Sequence, residues 1–242
     1  MAEPIEITEI IRPAEQGRSG PYICMGEDNR LYYVKGRNTG RRSQITEWVC
    51  AHLATALGLP IAPFSLVNIV PELLAETPDA MREVGAGLAF GSQECPKVLW
   101  FEQEHVGKIE KSLQGQILIF DWWVRNCDRL TTNSNLLWDA VRGQLVVIDH
   151  NLAFDRDFNA RDFLDFHIFG HRAAGIWDDL LERAHYQDWL RTALPVVDEA
   201  LAQVPDEWWW FDNEQTVAAD FDEDTVRELL SRCETDNFWR VA

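Results

Sequence analysis

Basic residues are scarce in this sequence. It carries 22 Lys and Arg against 40 Asp and Glu, a formal net charge of −18. So acidic a surface is hostile to phosphate backbones, which need Lys and Arg to displace counterions. Nucleic acid and anionic membranes are therefore not expected as direct partners. Long hydrophobic runs are missing as well, all falling well short of the ~18 residues that a membrane-spanning helix needs. The first ten residues hold three glutamates and no basic run, so no secretory leader is expected. Cysteine is thin: Cys24, Cys50, Cys95, Cys127 and Cys233 are odd in number, scattered and never in CxxC spacing. That pattern speaks against a disulfide framework and a zinc site, and fits free thiols in a reducing cytoplasm. No HExxH pair occurs among the histidines.

What remains is the composition of a globular protein. Apolar residues make up 46% and charged residues 26% of 242 positions, enough for one large domain or two small lobes with a substantial core. Residues 4–36 read as three strands, Ile5–Ile11, Tyr22–Met25 and Leu31–Lys35, joined by turns at Glu15–Gly20 and Glu27–Arg30. The alternation of the third strand puts Leu31, Tyr33 and Lys35 on one face, which is expected to be the core face. A helix follows from an N-cap at Ser43, with Ile45, Trp48, Val49, Leu53 and Leu57 at helical spacing and a stop at Gly58 and Pro60. Glu47 sits on another face of it, above Cys50, Ala51 and Ala54, which are small enough for close packing. A further strand is expected over 61–70 and a poorly periodic link over 71–112. A helix over Gln114–Val124 then runs into the polar loop Asn126–Asn133, followed by a hairpin of Leu136–Trp138 and Leu145–Ile148. From about Asp162 onward the period is helical. The expected fold class is α+β: an antiparallel β-rich N-terminal lobe with one helix over 1–95 and a mostly helical lobe over 96–242.

The chemistry gathers in that loop and hairpin. Asp128 and Asn133 lie five residues apart in the loop, and the hairpin returns the chain to Asp149. Two carboxylates and an amide brought to one small volume would repel without a cation, so a site of hard oxygen ligands for Mg²⁺ is the natural reading. Kinases divide phosphoryl transfer in this way, with an Asp near the acceptor hydroxyl, an Asn five residues on and a separate metal-binding Asp. Upstream, in the order a bilobal kinase requires, come a glycine-bearing turn, a lysine on a strand (Lys35) and a glutamate on the next helix (Glu47).

These stretches resemble the HipA-like kinases, and within them the short bacterial HipA-like kinase-domain proteins. The resemblance lies in Tyr33-Val34-Lys35-Gly36, Glu47 through Pro60, Asp121 through Arg129, Asn133-Ser134-Asn135-Leu136-Leu137-Trp138 and Ile148 through Phe154. It covers residues 10–160 well and the helical tail loosely. It implies a bilobal protein-kinase-like fold, related to phosphatidylinositol kinases, and an ATP- and Mg²⁺-dependent serine/threonine kinase. Lys35 would contact the ATP phosphates beside the Gly17, Ser19 and Gly20 turn, and Glu47 would pair with Lys35. Asp128 would be the catalytic base, and Asn133 and Asp149 would bind Mg²⁺. The acceptor would be a protein, the chain itself included. Three departures stand out: Asp149-His150-Asn151 in place of Asp-Phe-Gly, Leu130 where HipA has histidine, and a turn short of a full GxGxxG. A rival reading of another class is a pseudokinase that keeps the fold as a regulatory binding module.

Other conspicuous residues are given plainer roles. The rings of Trp208–Phe211 are expected to pin a C-terminal segment onto the helical lobe. Cys127 has no evident base beside it, His150 is read as structural or positioning, and the acidic run Asp220–Asp224 as a solvated helix start.

Overall fold

The computed structural model describes all residues except Met1, Ala2, Gln16, Gly17, Arg18, Ser19 and Ala242. The chain divides into two compact units, neither continuous in sequence. Met1–Trp48, Ala62–Pro96 and Gln203–Phe221 form the first, and Val49–Ile61, Lys97–Ala202 and Asp222–Ala242 the second.

The first unit contains β1 (Ile5–Pro13), β2 (Tyr22–Gly26), β3 (Leu31–Lys35), the start of α1 (Arg41–Ala56), β4 (Phe64–Ile69), α2 (Pro71–Glu76) and β5 (Gly87–Gln93). Its strands close into a barrel in the order β1-β2-β3-β5-β4. All neighbours are antiparallel except β1 and β4, which run parallel. The antiparallel sheet read from the sequence is thus a closed barrel. Its closing strand, β5, comes from the glycine-bearing stretch that periodicity left as a link, and closure leaves no edge strand exposed.

Ile7, Ile10, Tyr22, Cys24, Tyr32, Val34, Val67, Ile69, Val84 and Ala89 form the barrel core. In an unbroken strand Ile7 and Ile10 would face opposite sides. Register shifts after Ile7 and after Ile10 turn both inward, as bulges do. On β3 the core face is Tyr32 and Val34, not Leu31 and Tyr33, and Tyr33 is 37% exposed. Lys35 therefore leaves the barrel on its outer face, and it is buried because α1 covers that end of the strand. The chain beyond it is tightly seated: a Cβ on Gly36 would stand 2.1 Å from the Val84 carbonyl oxygen.

The tryptophan segment belongs to this unit rather than to the helical one, a correction to the sequence reading. Wholly buried Trp208 packs edge-on against Trp48 at 6.3 Å and donates its indole N–H to the Leu88 carbonyl at 2.9 Å. Glu207 accepts the Leu88 N–H at 3.0 Å and pairs with Arg41 at 3.6 Å. The cause is the short reach of β3, which pairs with β5 only from Phe90 onward. The main-chain groups of Leu88 have no strand neighbour on that side, and the segment supplies partners for them.

In the second unit β6 (Leu99–Trp100), β7 (Leu136–Asp139) and β8 (Gln144–Val147) form a sheet in the order β6-β7-β8. Around it lie α3 (Lys111–Val124), α4 (Ala160–Phe166), α5 (Ala173–Trp177), α6 (Leu180–Arg191), α7 (Leu194–Ala202) and α8 (Glu223–Ser231). Every residue from Ile117 to Val124 is buried, which makes α3 the core helix of this unit. The indole N–H groups of Trp122 and Trp123 donate to the carbonyls of Phe238 and Leu230, both at 2.8 Å, so the C-terminal residues satisfy its buried polar atoms. Asp222 caps α8, accepting the Asp224 and Thr225 N–H groups, in keeping with the acidic run as a helix start.

Candidate active site

Within the first unit Lys35 and Glu47 form a buried ion pair. The Gln44 side chain donates to the Lys35 carbonyl at 2.9 Å, which ties α1 to the end of β3 one helical turn before Glu47. Of the three residues expected at the glycine turn, Gly17 and Ser19 lie outside the described residues. Gly20 has φ 61°, and its carbonyl accepts the Asn38 amide at 2.7 Å.

Within the second unit α3 ends at Arg125, whose left-handed conformation (φ 52°) turns the chain into the loop that carries Asp128. The β7–β8 hairpin then returns it, and the Ile148 N–H donates to the Asn135 carbonyl at 3.1 Å. That bond sets the peptide leading to Asp149 against the Asp128 loop. Asn133 reaches the Asp128 carboxylate only at 3.4 Å and is exposed. Asn135, which the sequence reading passed over, makes the closer contact: its amide donates to Asp128 Oδ2 at 2.9 Å and to the Asp128 carbonyl at 3.1 Å. Asn135 and Asp149 are both left-handed, with φ 47° and 59°. Such backbone costs on the order of 1 kcal/mol per L-residue and gathers where geometry serves function.

Beneath this loop lies a polar cluster that the sequence reading also missed. Asp121, Arg129 and His167 are all buried. Arg129 Nε and one terminal nitrogen hold Asp121 at 2.6 and 3.3 Å, and Asn126 adds a bond at 2.9 Å. The Phe169 N–H donates to His167 Nδ1 at 3.0 Å, so Nε2 carries the ring proton and donates to Asp121 at 3.0 Å. Burial alone would raise the Asp121 pKa, but the Arg129 cation and the bonds from His167 and Arg129 outweigh it and hold the carboxyl well below the usual range. His167 is pushed down by burial, against the pull of Asp121, and stays neutral. The signal for this cluster was an aspartate inside the otherwise apolar run of α3.

Burial, with Asp155 and Asp121 nearby, pushes the Cys127 thiol up to about 12, away from the thiolate form that reacts. His150 is buried, with its ring edge-on to Phe120 at 5.5 Å. His167 and His171 stand four residues apart, yet they bond separately to Asp121 and to Gln114. Among the described residues no group of three His, Cys, Asp or Glu side chains could hold a metal ion, and no helix is long and apolar enough to cross a membrane.

Two solved structures align with this chain. The crystal structure of the Helicobacter pylori proinflammatory kinase CtkA aligns with a TM-score of 0.50 and 10% identity, over 96% of this chain and 95% of that one. The Golgi casein kinase aligns with a TM-score of 0.49 and 13% identity, over 96% of this chain and 72% of that one. No curated protein matches. The likeness to the first defines a kinase-like α+β fold. A family model described as HipA-like kinase matches residues 7–242, and the chain belongs to that family.

Proposed function

We propose that the protein transfers the γ-phosphoryl group of ATP, in the presence of Mg²⁺, to a Ser or Thr hydroxyl of a protein, its own chain among the acceptors. The observation that carries this reading is the meeting, within one unit, of the Asp128 carboxylate, the amides of Asn133 and Asn135, and the peptide leading into left-handed Asp149.

The donor set suits the groups required. Carboxylate and amide oxygens are the hard ligands that Mg²⁺ prefers, and Asp149 with the Asn133 amide oxygen would supply them. A lysine with a buried carboxylate partner is the usual clamp for nucleotide phosphates. Ser43, one helical turn ahead of Glu47, adds a buried hydroxyl with no partner among the described residues. When bound, Mg²⁺–ATP supplies the transferable phosphoryl group and neutralises charge between its oxygens. Lys35 would hold the phosphates, kept in place by Glu47. Asp128, with Oδ2 engaged by Asn135, presents Oδ1 to the acceptor hydroxyl and takes its proton as the phosphoryl group is transferred. The nucleotide role falls to the lobe at 1–95 and the transfer role to the lobe at 96–242.

Asp149→Asn and Asp149→Ala test the reading. Each should abolish ³²P transfer from γ-labelled ATP, and the Asn variant, which tolerates the left-handed backbone, should keep a melting temperature near that of the unaltered protein. Label appearing from α-labelled ATP instead would move the chemistry to nucleotidyl transfer. Calorimetry that finds no ATP-analogue binding with or without Mg²⁺ would favour the pseudokinase.

A further inference from the structure

Arg129 is wholly buried and uses both ends of its guanidinium. One edge clasps Asp121 through Nε and a terminal nitrogen. The other terminal nitrogen donates to the Asn135 carbonyl at 2.7 Å and to the Ile148 carbonyl at 3.2 Å, with a longer contact to Ser134 at 3.4 Å. Those two carbonyls are not arbitrary. Asn135 is itself left-handed, and Ile148 supplies the peptide that leads into left-handed Asp149. One cation therefore fixes the two strained positions of the loop and of the strand end. Held in that conformation, Asn135 directs its amide to Asp128 Oδ2, and the backbone of Asp149 sets the direction in which its carboxylate leaves the chain.

The geometry points to Arg129 as the positioning residue of the transfer site, orienting Asp128 through Asn135 and setting Asp149 through the Ile148 peptide. Asp121 aligns the guanidinium, and neutral His167 and Asn126 align Asp121. This inference rests on the reading of Asp128 and Asp149 as transfer residues. A lysine would not serve, because a point-like ammonium cannot hold a carboxylate in two places and also reach two carbonyls on its far side.

Two variants separate positioning from mere support. Arg129→Lys keeps the charge and loses the fork. Asn135→Gly keeps the left-handed backbone and the carbonyl that Arg129 holds, and removes only the amide that orients Asp128. The assay is single-turnover ³²P transfer from γ-labelled ATP to a Ser/Thr peptide library, with calorimetric nucleotide affinity and melting curves alongside. Each variant should transfer about 10²-fold more slowly, the loss expected of a reacting group misplaced by about 1 Å. Nucleotide affinity measured without Mg²⁺ should be unchanged. The double variant should be no slower than the slower single, since both substitutions break one chain of positioning. Folded variants that transfer at the unaltered rate overturn the inference, and so do losses that multiply in the double variant. If Arg129→Lys does not fold, the neutral pair Asp121→Asn with Arg129→Gln takes its place under the same criteria. An inactive starting protein, or full activity in Asp149→Asn, would instead overturn the kinase reading itself.

Discussion

A buried aspartate–arginine pair lies under the loop that carries Asp128, and its histidine partner responds to pH in a predictable direction. The His167 pKa is held below its ordinary value of about 6.5. As pH falls through that value the unfolded chain takes up a proton that the folded one resists, so stability is full above it and declines below it. The groups facing the ring are Asp121, which favours the charged form, and Arg129 and His171, which oppose it. The urea midpoint should fall between about pH 7.5 and 5.5. In His167→Gln, whose amide can still bond Asp121 and Phe169, the fall should be shallower. His52, also held low by burial, leaves a residual slope in both proteins. Equal slopes would show that His167 carries no such linkage. Asp121 acts in a separate window: its depressed pKa withdraws stability only as pH drops below about 3.9. At this scale the sequence showed residue types and spacing well. It did not show Asn135 as the closer partner of Asp128, because Asn133 and Asn135 fit the loop equally until the Ile148–Asn135 backbone bond sets the register.

Elements were legible where a local period wrote them. The first three strands, α1, α3 and the β7–β8 hairpin fall close to the stretches read from the sequence. Facing was less secure. Simple alternation counted Leu31 and Tyr33 as core, while barrel closure put Tyr32 and Val34 inside. Lys35 is buried for a different reason, the cover of α1. β5 went unread because Gly87 and Gly91 interrupt its pattern, and its pairing depends on strands distant in sequence. The Trp208 segment shows the same limit, since its place is set by the unpaired main chain of Leu88 rather than by its own period. Trp208→Ala should therefore cost the barrel unit about 3–5 kcal/mol, as expected for a fully buried aromatic. Trp208→Phe should cost less, chiefly by leaving the Leu88 carbonyl without its donor. Urea unfolding measures both. An alanine variant within about 0.5 kcal/mol of the unaltered protein, the range of an ordinary surface substitution, would mean the segment is not part of that core.

For the whole molecule, the division into discontinuous units is what no local pattern could show. Residues 49–61 go with the second unit and 203–221 with the first, through contacts that span more than a hundred positions, such as Trp208 to Leu88. Charge, by contrast, could be read at once. A net charge of −18 opposes compaction through self-repulsion. One ion pair in each unit is insulated from solvent: Lys35 with Glu47 in the first and Arg129 with Asp121 in the second are buried, so salt screens them little. Exposed pairs such as Arg227 with Asp198 contribute little to begin with. Screening should therefore relieve repulsion more than it weakens attraction. Raising sodium chloride from about 0.01 M to about 0.1 M shortens the Debye length from roughly 30 to roughly 10 Å, and the urea midpoint at neutral pH should rise over that range. A midpoint that falls with added salt would mean that surface ion pairs outweigh the excess of acid, and that the acidic balance is not a cost to this fold.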